Sequence, residues 1–342
     1  MKALFHIAVC VLGVLLFFIG CATRVPVTVT KPAEVNMASM RKIAVLDFSV
    51  TQQKYDLTGE DLIELALDKL FDFPIGERAT YREVEEYATE RFILGLVSTN
   101  YFHVVSGTAV RASIDPTGTS SASVQEIGKE IDAQGIVTGE IYRMTVDDDE
   151  FTRIEEYTDP ETATVYEEEI PRIRRTITLG LAYHVFNTES GVLYASRSFE
   201  ASLQDEAEEE DDLRESEEMY KEIIDSFIPK MMRQLAPYTV RESRKLMKDK
   251  SKDPLMESAK QYAGNGVYDR ALELYLKIWD SSGNPAAGYN GAIMYEVTGD
   301  IDAAVSLMKE VVDRYPDRKI MREYNRLIGV REEQKRLAEQ LA

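Results

Sequence analysis

The sequence predicts an α/β (α+β) sandwich on a mixed sheet, followed by an all-α helical-repeat domain. Three observations lead there. Between residues 41 and 236, short β-type runs alternate with amphipathic stretches of helical period. Within that region Ile177, Leu179, Leu181, Tyr183 and Val185 occupy every second position, the period of a strand with one buried face. Beyond residue 253, a pattern of small, large and turn residues recurs after 33 positions.

Taken in order, Lys42 to Phe48 (KIAVLDF) is a nearly continuous apolar run, as in a central strand buried on both faces. Thr58 to Asp61 opens a helix, with Thr58 as its cap and Leu62, Leu65, Ala66 and Leu70 as its buried stripe. A second helix is expected from Tyr81 to Ser98, with Val84, Tyr87, Ala88, Phe92 and Leu96 on one face. Phe102 to Val105 reads as a strand, 113–121 as a loop, Val124 to Ile131 as a helix and Ile136 to Met144 as a strand. Phe151 to Thr158 and Thr164 to Glu169 flank the turn residues Asp159, Pro160 and Glu161. The long strand from Ile173 turns through Asn187 to Gly191 into Leu193, Ala195, Phe199, Ala201 and Leu203, which makes a hairpin. Tyr220, Ile223, Ile224, Phe227, Ile228, Met231 and Leu235 follow helical spacing, and Pro229 is expected to kink or split that helix. Tyr238 to Lys252 holds six basic residues and reads as a connecting helix.

The N-terminus has one positive charge at Lys2, an apolar run from Ala3 to Phe18, then Ile19-Gly20-Cys21-Ala22. That is the layout of a secretory signal with a small residue before the cut. It resembles the lipobox of bacterial lipoproteins, with Phe18 where Leu is usual. The resemblance implies removal of residues 1–20 after Gly20 and lipidation of Cys21, with delivery to the outer membrane. An uncleaved transmembrane anchor is the competing reading, since the run is about 18 residues, at the short edge of what spans a bilayer. Both put the rest of the chain outside the cytoplasm.

The only other cysteine is Cys10, inside the apolar run, so a cleaved chain has no disulfide, cysteine metal site or cysteine nucleophile. The composition, 44% hydrophobic and 29% charged, is that of a globular protein able to hold its fold by its core. The formal net charge of −20 argues against a nucleic-acid role, which needs a basic footprint, and against attachment to anionic lipid by charge. Asp205 to Glu218 carries ten acids against Arg214 and reads as a solvated loop leading into a helix; it lacks the ligand spacing of a calcium loop.

In the last third, Ala259, Tyr262, Ala271 and Tyr275 recur as Ala292, Tyr295, Ala304 and Met308, and the turns Gly266 to Ala271 and Gly299 to Ala304 align. This resembles the tetratricopeptide repeat, a helix–turn–helix of about that length. The small residues Ala259, Ala271, Ala292 and Ala304 let helices approach closely, and Tyr262, Tyr275, Trp279 and Tyr295 fill the space around them. The helix before Asp253 and the helix from Asp317 to Ala342 are expected to cap the stack. The concave face of such a stack implies a protein partner held as a short segment.

Lys42 to Phe48, Tyr101 to Val105, Gly135 to Ile141 and Val185 to Leu193 together resemble the lipoprotein family related to the curli-secretion channel (CsgG-like). The resemblance implies a sandwich of helices on a mixed sheet, found in envelope assembly factors; related domains occur in lipoprotein activators of cell-wall synthases. Pore-forming members thread hairpins through the outer membrane. Here the candidate hairpin, 145–180, carries Asp147 to Glu150, Glu155, Glu156, Glu167 to Glu169, Arg172, Arg174 and Arg175, and lacks the apolar face of a barrel strand. It reads as soluble.

No phosphate loop, nucleophile elbow or His-Glu-x-x-His motif occurs. His6 leaves with the signal; His103 and His184 fall in strands without a second His or a Cys at ligand spacing, and read as structural. Asp47 ends the first strand, where α/β proteins place ligands, and equally suits a cap or turn. The expected organisation is a signal peptide at 1–20, an extended tether at 21–40, the CsgG-like domain at 41–236, a connecting helix at 237–252 and helical repeats with a capping helix at 253–342. The expected function is a non-enzymatic, lipid-anchored scaffold of the cell envelope, without cofactor or metal, binding protein partners through its repeats and open to homo-oligomerisation. A secretion-channel subunit and an activator of a cell-wall synthase are the competing readings.

Overall fold

A computed structural model of the 342-residue chain describes residues 23–50, 77–105, 121–161 and 163–342. The helix expected from Thr58, the loop at 113–120, Gly20 and Cys21 lie outside the described residues. The described residues divide into two compact units: 33–238, and 23–32 together with 239–342.

The first unit is an open mixed sheet of β2 (Lys42–Val50), β3 (His103–Val105), β4 (Gly135–Thr158), β5 (Val165–Asn187) and β6 (Leu193–Ala207), in the order β3-β2-β4-β5-β6. β2 runs parallel to β3 and β4, while β4, β5 and β6 form an antiparallel meander. The apolar run Ile43 to Val45 is fully buried because helices cover both faces there. Helices α1 (Glu77–Ser98) and α3 (Ser216–Leu235) cover one face, where Val84, Ala88, Phe92 and Leu96 of α1 and Ile223, Ile224, Phe227 and Met231 of α3 meet Phe48, Ile177, Leu179, Leu181 and Tyr183. On the other face, Val124 and Ile127 of α2 (Ser121–Glu130) pack on Ala44 and Ile136. α3 continues unbroken through Pro229, which withholds one N–H from the ladder while Phe227 and Met231 on either side stay buried in the same core.

The second unit contains α4 (Pro254–Gly264), α5 (Tyr268–Ser282), α6 (Pro285–Thr298), α7 (Ile301–Arg314) and α8 (Arg318–Leu341). Local chemistry sets the boundaries. Asp253, Asn284, Asp300 and Asp317 each accept a backbone N–H of the first turn that follows, and Pro254 and Pro285 occupy first-turn positions that need no donor. Gly266 and Gly299, 33 positions apart, both sit at positive φ, 80° and 94°, where a side chain would strain the turn between paired helices.

Two sequence expectations need correction. Tyr238–Lys245 is a strand, β7, not part of a connecting helix, so no helix precedes Asp253 as a cap. The expected tether contains a strand, β1 (Arg24–Lys31), paired with β7. The Leu246 N–H donates to the Thr23 carbonyl oxygen at one end and Thr30 meets Thr239 at the other, so the strands run antiparallel. Val25, Val27 and Val29 alternate with exposed residues, and Val25 is fully buried with the helices. In β7 the inward positions are Val240, Glu242 and Arg244. Two of them are charged, so they do not read as a buried face in the sequence.

Candidate functional sites: a hairpin arm and a helical cleft

β6 ends opposite Ile173, and β2 leaves β4 at Ile141. The stretch from Phe151 to Arg172 is therefore a two-stranded arm, paired only with itself through to Thr158↔Val165. Residues directly opposite in an antiparallel pair share a face. Glu156 and Glu167 lie on one face of the arm, and Glu155 and Glu168 on the other. Ile154, Tyr157, Val165 and Tyr166 are each more than half exposed. At the base, Arg174 and Arg153 bond Glu206 and hold its carboxyl below the usual range, and the Arg174 guanidinium lies 4.3 Å over the Phe151 ring. Arg172 bridges Glu155 at 3.1 Å and Glu208 at 3.2 Å, and Arg175 bonds Asp148 at 2.7 Å. The Glu206 pairs tie the root of the arm to β6, the Glu208 pair ties it to the residue just beyond, and the tip is left acidic and solvated. Between Glu155 and Glu169 there is no apolar face of the length a lipid-facing strand requires.

In the second unit, Ala259, Ala271, Tyr275, Ala292 and Ala304 are fully buried at helix–helix contacts. Tyr295 is partly buried against the same core, but Tyr262 is 40% exposed and does not fill the space beside Ala259 as the repeat alignment predicts. Gly288 supplies a close approach missed in the sequence: a Cβ there would stand 2.5 Å from Val311 and 2.7 Å from the Trp279 ring. α6 is consequently buried almost all round, which its run of small residues permits.

A cleft of about 830 Å³ opens between the segment 247–253 and the starts of α6 and α8. Lys248, Lys250 and Lys319 line it with Asp249, Asp317 and Tyr315, over an apolar floor that includes Met247, Pro285 and Ile320. The segment is held by Asn290, whose side chain accepts the Met247 N–H at 2.6 Å and donates to the Met247 carbonyl oxygen at 3.0 Å. A smaller cavity of about 460 Å³ lies on the other side of the segment, bounded by Thr23, Met256 and Tyr275.

The ribbon of β1 and β7 is tied to the helices by charge. Glu296 accepts Arg244 Nε at 2.9 Å and Arg326 Nη1 at 2.8 Å. Burial alone would raise its carboxyl, but the bonds from Arg326 and Arg244 hold it below the usual range. Lys31 meets Glu242 and Glu333, both at 3.3 Å. Arg244, the single basic residue of β7 that is buried, is thus an internal strut.

The candidate ligand positions in the first unit are dispersed. Asp47 is exposed within β2, which continues to Val50, and His103 is exposed in β3. His184 is half-buried between Glu140 (Nε2, 3.3 Å) and Ser196 (Nδ1, 2.9 Å), neighbours on adjacent strands. The two ring nitrogens are exchanged relative to a Ser–His–acid triad, and sheet register explains the contacts. Among the described residues no group of three His, Cys, Asp or Glu side chains is arranged to hold a metal, and no helix is long and apolar enough to cross a membrane.

No protein-family model matches the chain, and no curated protein matches it. Among solved structures it is similar to the PelC dodecamer from Paraburkholderia phytofirmans, at 10% identity, covering 62% of this chain and 98% of that one with a TM-score of 0.26. It is similar to the LpoB C-terminal domain from Salmonella enterica, at 8% identity over 49% of this chain and 87% of that one, also at 0.26. The lipoprotein GNA1162 from Neisseria meningitidis matches at 8% identity over 56% of this chain and 96% of that one, again at 0.26.

Proposed function

We propose that this chain is a non-enzymatic scaffold of the cell envelope, anchored by lipid on Cys21 after cleavage behind Gly20, that holds a protein partner on a tetratricopeptide-like tail. The observation that carries the reading is the cleft beside α6 and α8. It has an apolar floor with both signs of charge at its rim, which suits a short protein segment rather than a compact charged ligand. The capped helices and the buried alanine contacts supply a rigid frame for it. Two points support the anchor: the charged, apolar, small-residue order of residues 1–22, and β1, which begins at Arg24 and fastens the start of the described chain to the helical unit. The α/β unit is read as a CsgG-like body. The solvated acidic arm weighs against the channel reading.

The test is site-specific photo-crosslinking of the full chain in its native envelope. A photo-reactive residue at Lys250 or Tyr315, on the cleft rim, is expected to trap one partner, while the same residue at Glu310, exposed on α7, is not. Equal trapping at all three positions, or at none, rejects the cleft as the binding surface.

A further inference from the structure

β6 is the last strand of the sheet, and among the described residues no strand pairs with its outer edge. It runs for 15 residues with no proline; its charges are Arg197, Glu200, Asp205 and Glu206, and its one ladder irregularity lies at the start, between Leu193 and Ala195, outside the 197–205 stretch. An edge of this kind offers a row of backbone N–H and C=O groups to another strand, and natural sheets commonly blunt it with proline, bulges or charge. On the face that carries α1 and α3, β6 presents Phe199, Ala201 and Leu203, each only partly buried at the rim of the core. Arg197 lies on the same face, opposite Tyr183, and is exposed; its guanidinium donates to the carbonyl oxygen of Ser196.

We propose that β6 pairs antiparallel with β6 of a second copy of this chain, about a two-fold axis through Ala201. Side chains alternate across a sheet, so the pairing must set core-facing residues against core-facing ones. That leaves registers centred on single residues. Centred on Ala201, the strand sets Arg197 against the partner's Asp205 and Phe199 against the partner's Leu203, each contact occurring twice. Asp205 uses Oδ2 to accept the Arg214 N–H at 2.9 Å, which leaves Oδ1 for the arginine. Glu200 comes near its own symmetry copy, but each is matched within its own chain by Arg143 at 2.9 Å. A centre at Glu200 would set like charges directly opposite, and a centre at Ser202 would set Phe199 against Asp205. Both are costly cross-strand pairs. The register at Ala201 is thus favoured over its neighbours by the charge and apolar order of β6 itself. The dimer joins two five-stranded sheets into one and depends on neither the lipid anchor nor the helical cleft.

Sedimentation velocity of the full chain in detergent, over a concentration series, tests the pairing. The parent protein is expected to dimerise. Arg197→Glu sets two acids against each other at both ends of the pairing, and Asp205→Arg sets two arginines there. Each variant by itself should therefore dimerise about ten-fold more weakly or worse. In a mixture, a heterodimer of the two variants has a pair of acids at one end only if the strands slip. In register it sets the new glutamate at position 197 of one copy against the new arginine at position 205 of the other, and the native Asp205 against the native Arg197. Both ion pairs return, and the mixture should dimerise like the parent. Recovery on mixing also rules out misfolding as the reason each variant fails. The register is read by oxidation: Ala201→Cys should form a cross-copy disulfide above the background set by Cys10 and Cys21 in the parent. Ser198→Cys should not, because its symmetry copy is offset by six residues, about 20 Å. A parent that stays monomeric, a dimer indifferent to Arg197→Glu, a mixture that fails to recover, or equal crosslinking at positions 198 and 201 would overturn the proposal.

Discussion

The Phe48 ring lies on the bare backbone of Gly139: a Cβ at residue 139 would stand 2.1 Å from the ring. The two are register partners of β2 and β4, beside a shift in that ladder between Val45 and Phe48. Phe48 is 2% exposed and its ring centroid is 5.4 Å from that of Phe92 on α1. The glycine therefore admits the aromatic residue that joins sheet to helix layer.

Gly139→Ala should consequently cost about 1–3 kcal/mol by overpacking a ring that has no free side to move to. Urea unfolding checks it. A Phe48→Leu, Gly139→Ala double variant should lose less than the sum of the two single losses, because the clash is shared. Strict additivity would show that the ring is not what the new methyl meets.

The buried carboxylate of Glu296 gives a pH dependence with a definite sign. Its folded-state pKa is depressed, so its contribution is fully present above the unfolded value of about 4.3 and is lost as pH falls through the lower folded value. Glu296→Gln should destabilise the helical unit by about 3–5 kcal/mol at neutral pH, since it leaves the buried Arg244 without this partner. It should also flatten the acid limb below about pH 4. Melting curves of the parent and variant from pH 3 to 7 decide the matter; parallel curves would mean that another carboxylate governs that limb.

Replacing Ala271 or Ala304 with Leu should overpack a helix–helix contact at a cost of about 1–3 kcal/mol. Hydrogen exchange then reports where the damage goes. Protection should fall in 254–341 and also in 24–31, because β1 is fastened to the helices through β7. If 24–31 keeps its protection while the helices lose theirs, β1 does not belong to that unit.

The arm should be wet on both faces. Single cysteines at Thr152, Glu156, Thr164 and Glu168, all exposed, are expected to react evenly with a membrane-impermeant maleimide in intact envelopes. Shielding of Thr152 and Glu156 with Thr164 and Glu168 left reactive, or the reverse, would indicate a face turned to lipid and favour a channel.

Cys21→Ser should leave an uncut precursor that takes up no fatty-acid probe. Labelling of that variant would remove the anchor from the proposed function.

The elements with local signals were legible in the sequence. Val84, Ala88, Phe92 and Leu96 announced α1 by spacing; Asp253 and Asn284, each followed by proline, are local cap signals for α4 and α6 that the repeat alignment did not use. The 33-residue offset placed Gly266 and Gly299 at equivalent turns. Periodicity, capping and turn chemistry act within a few residues, so one chain segment suffices to read them. β1 and β7 were misread, although the alternation of Val25, Val27 and Val29 was there to be seen. A strand is completed by a partner, and here the partner is some two hundred positions away. The inward positions Glu242 and Arg244 looked like solvated charge until Lys31, Glu296 and Arg326 came within reach. The same holds for the cleft between 247–253 and α8, and for the Cβ-free approaches at Gly139 and Gly288. The sequence by itself determined which segments are helix or strand wherever the code is local. The tertiary structure decided which charges are buried, which strands are edges and where the cleft opens, because desolvation and strand pairing depend on residues far apart in the chain.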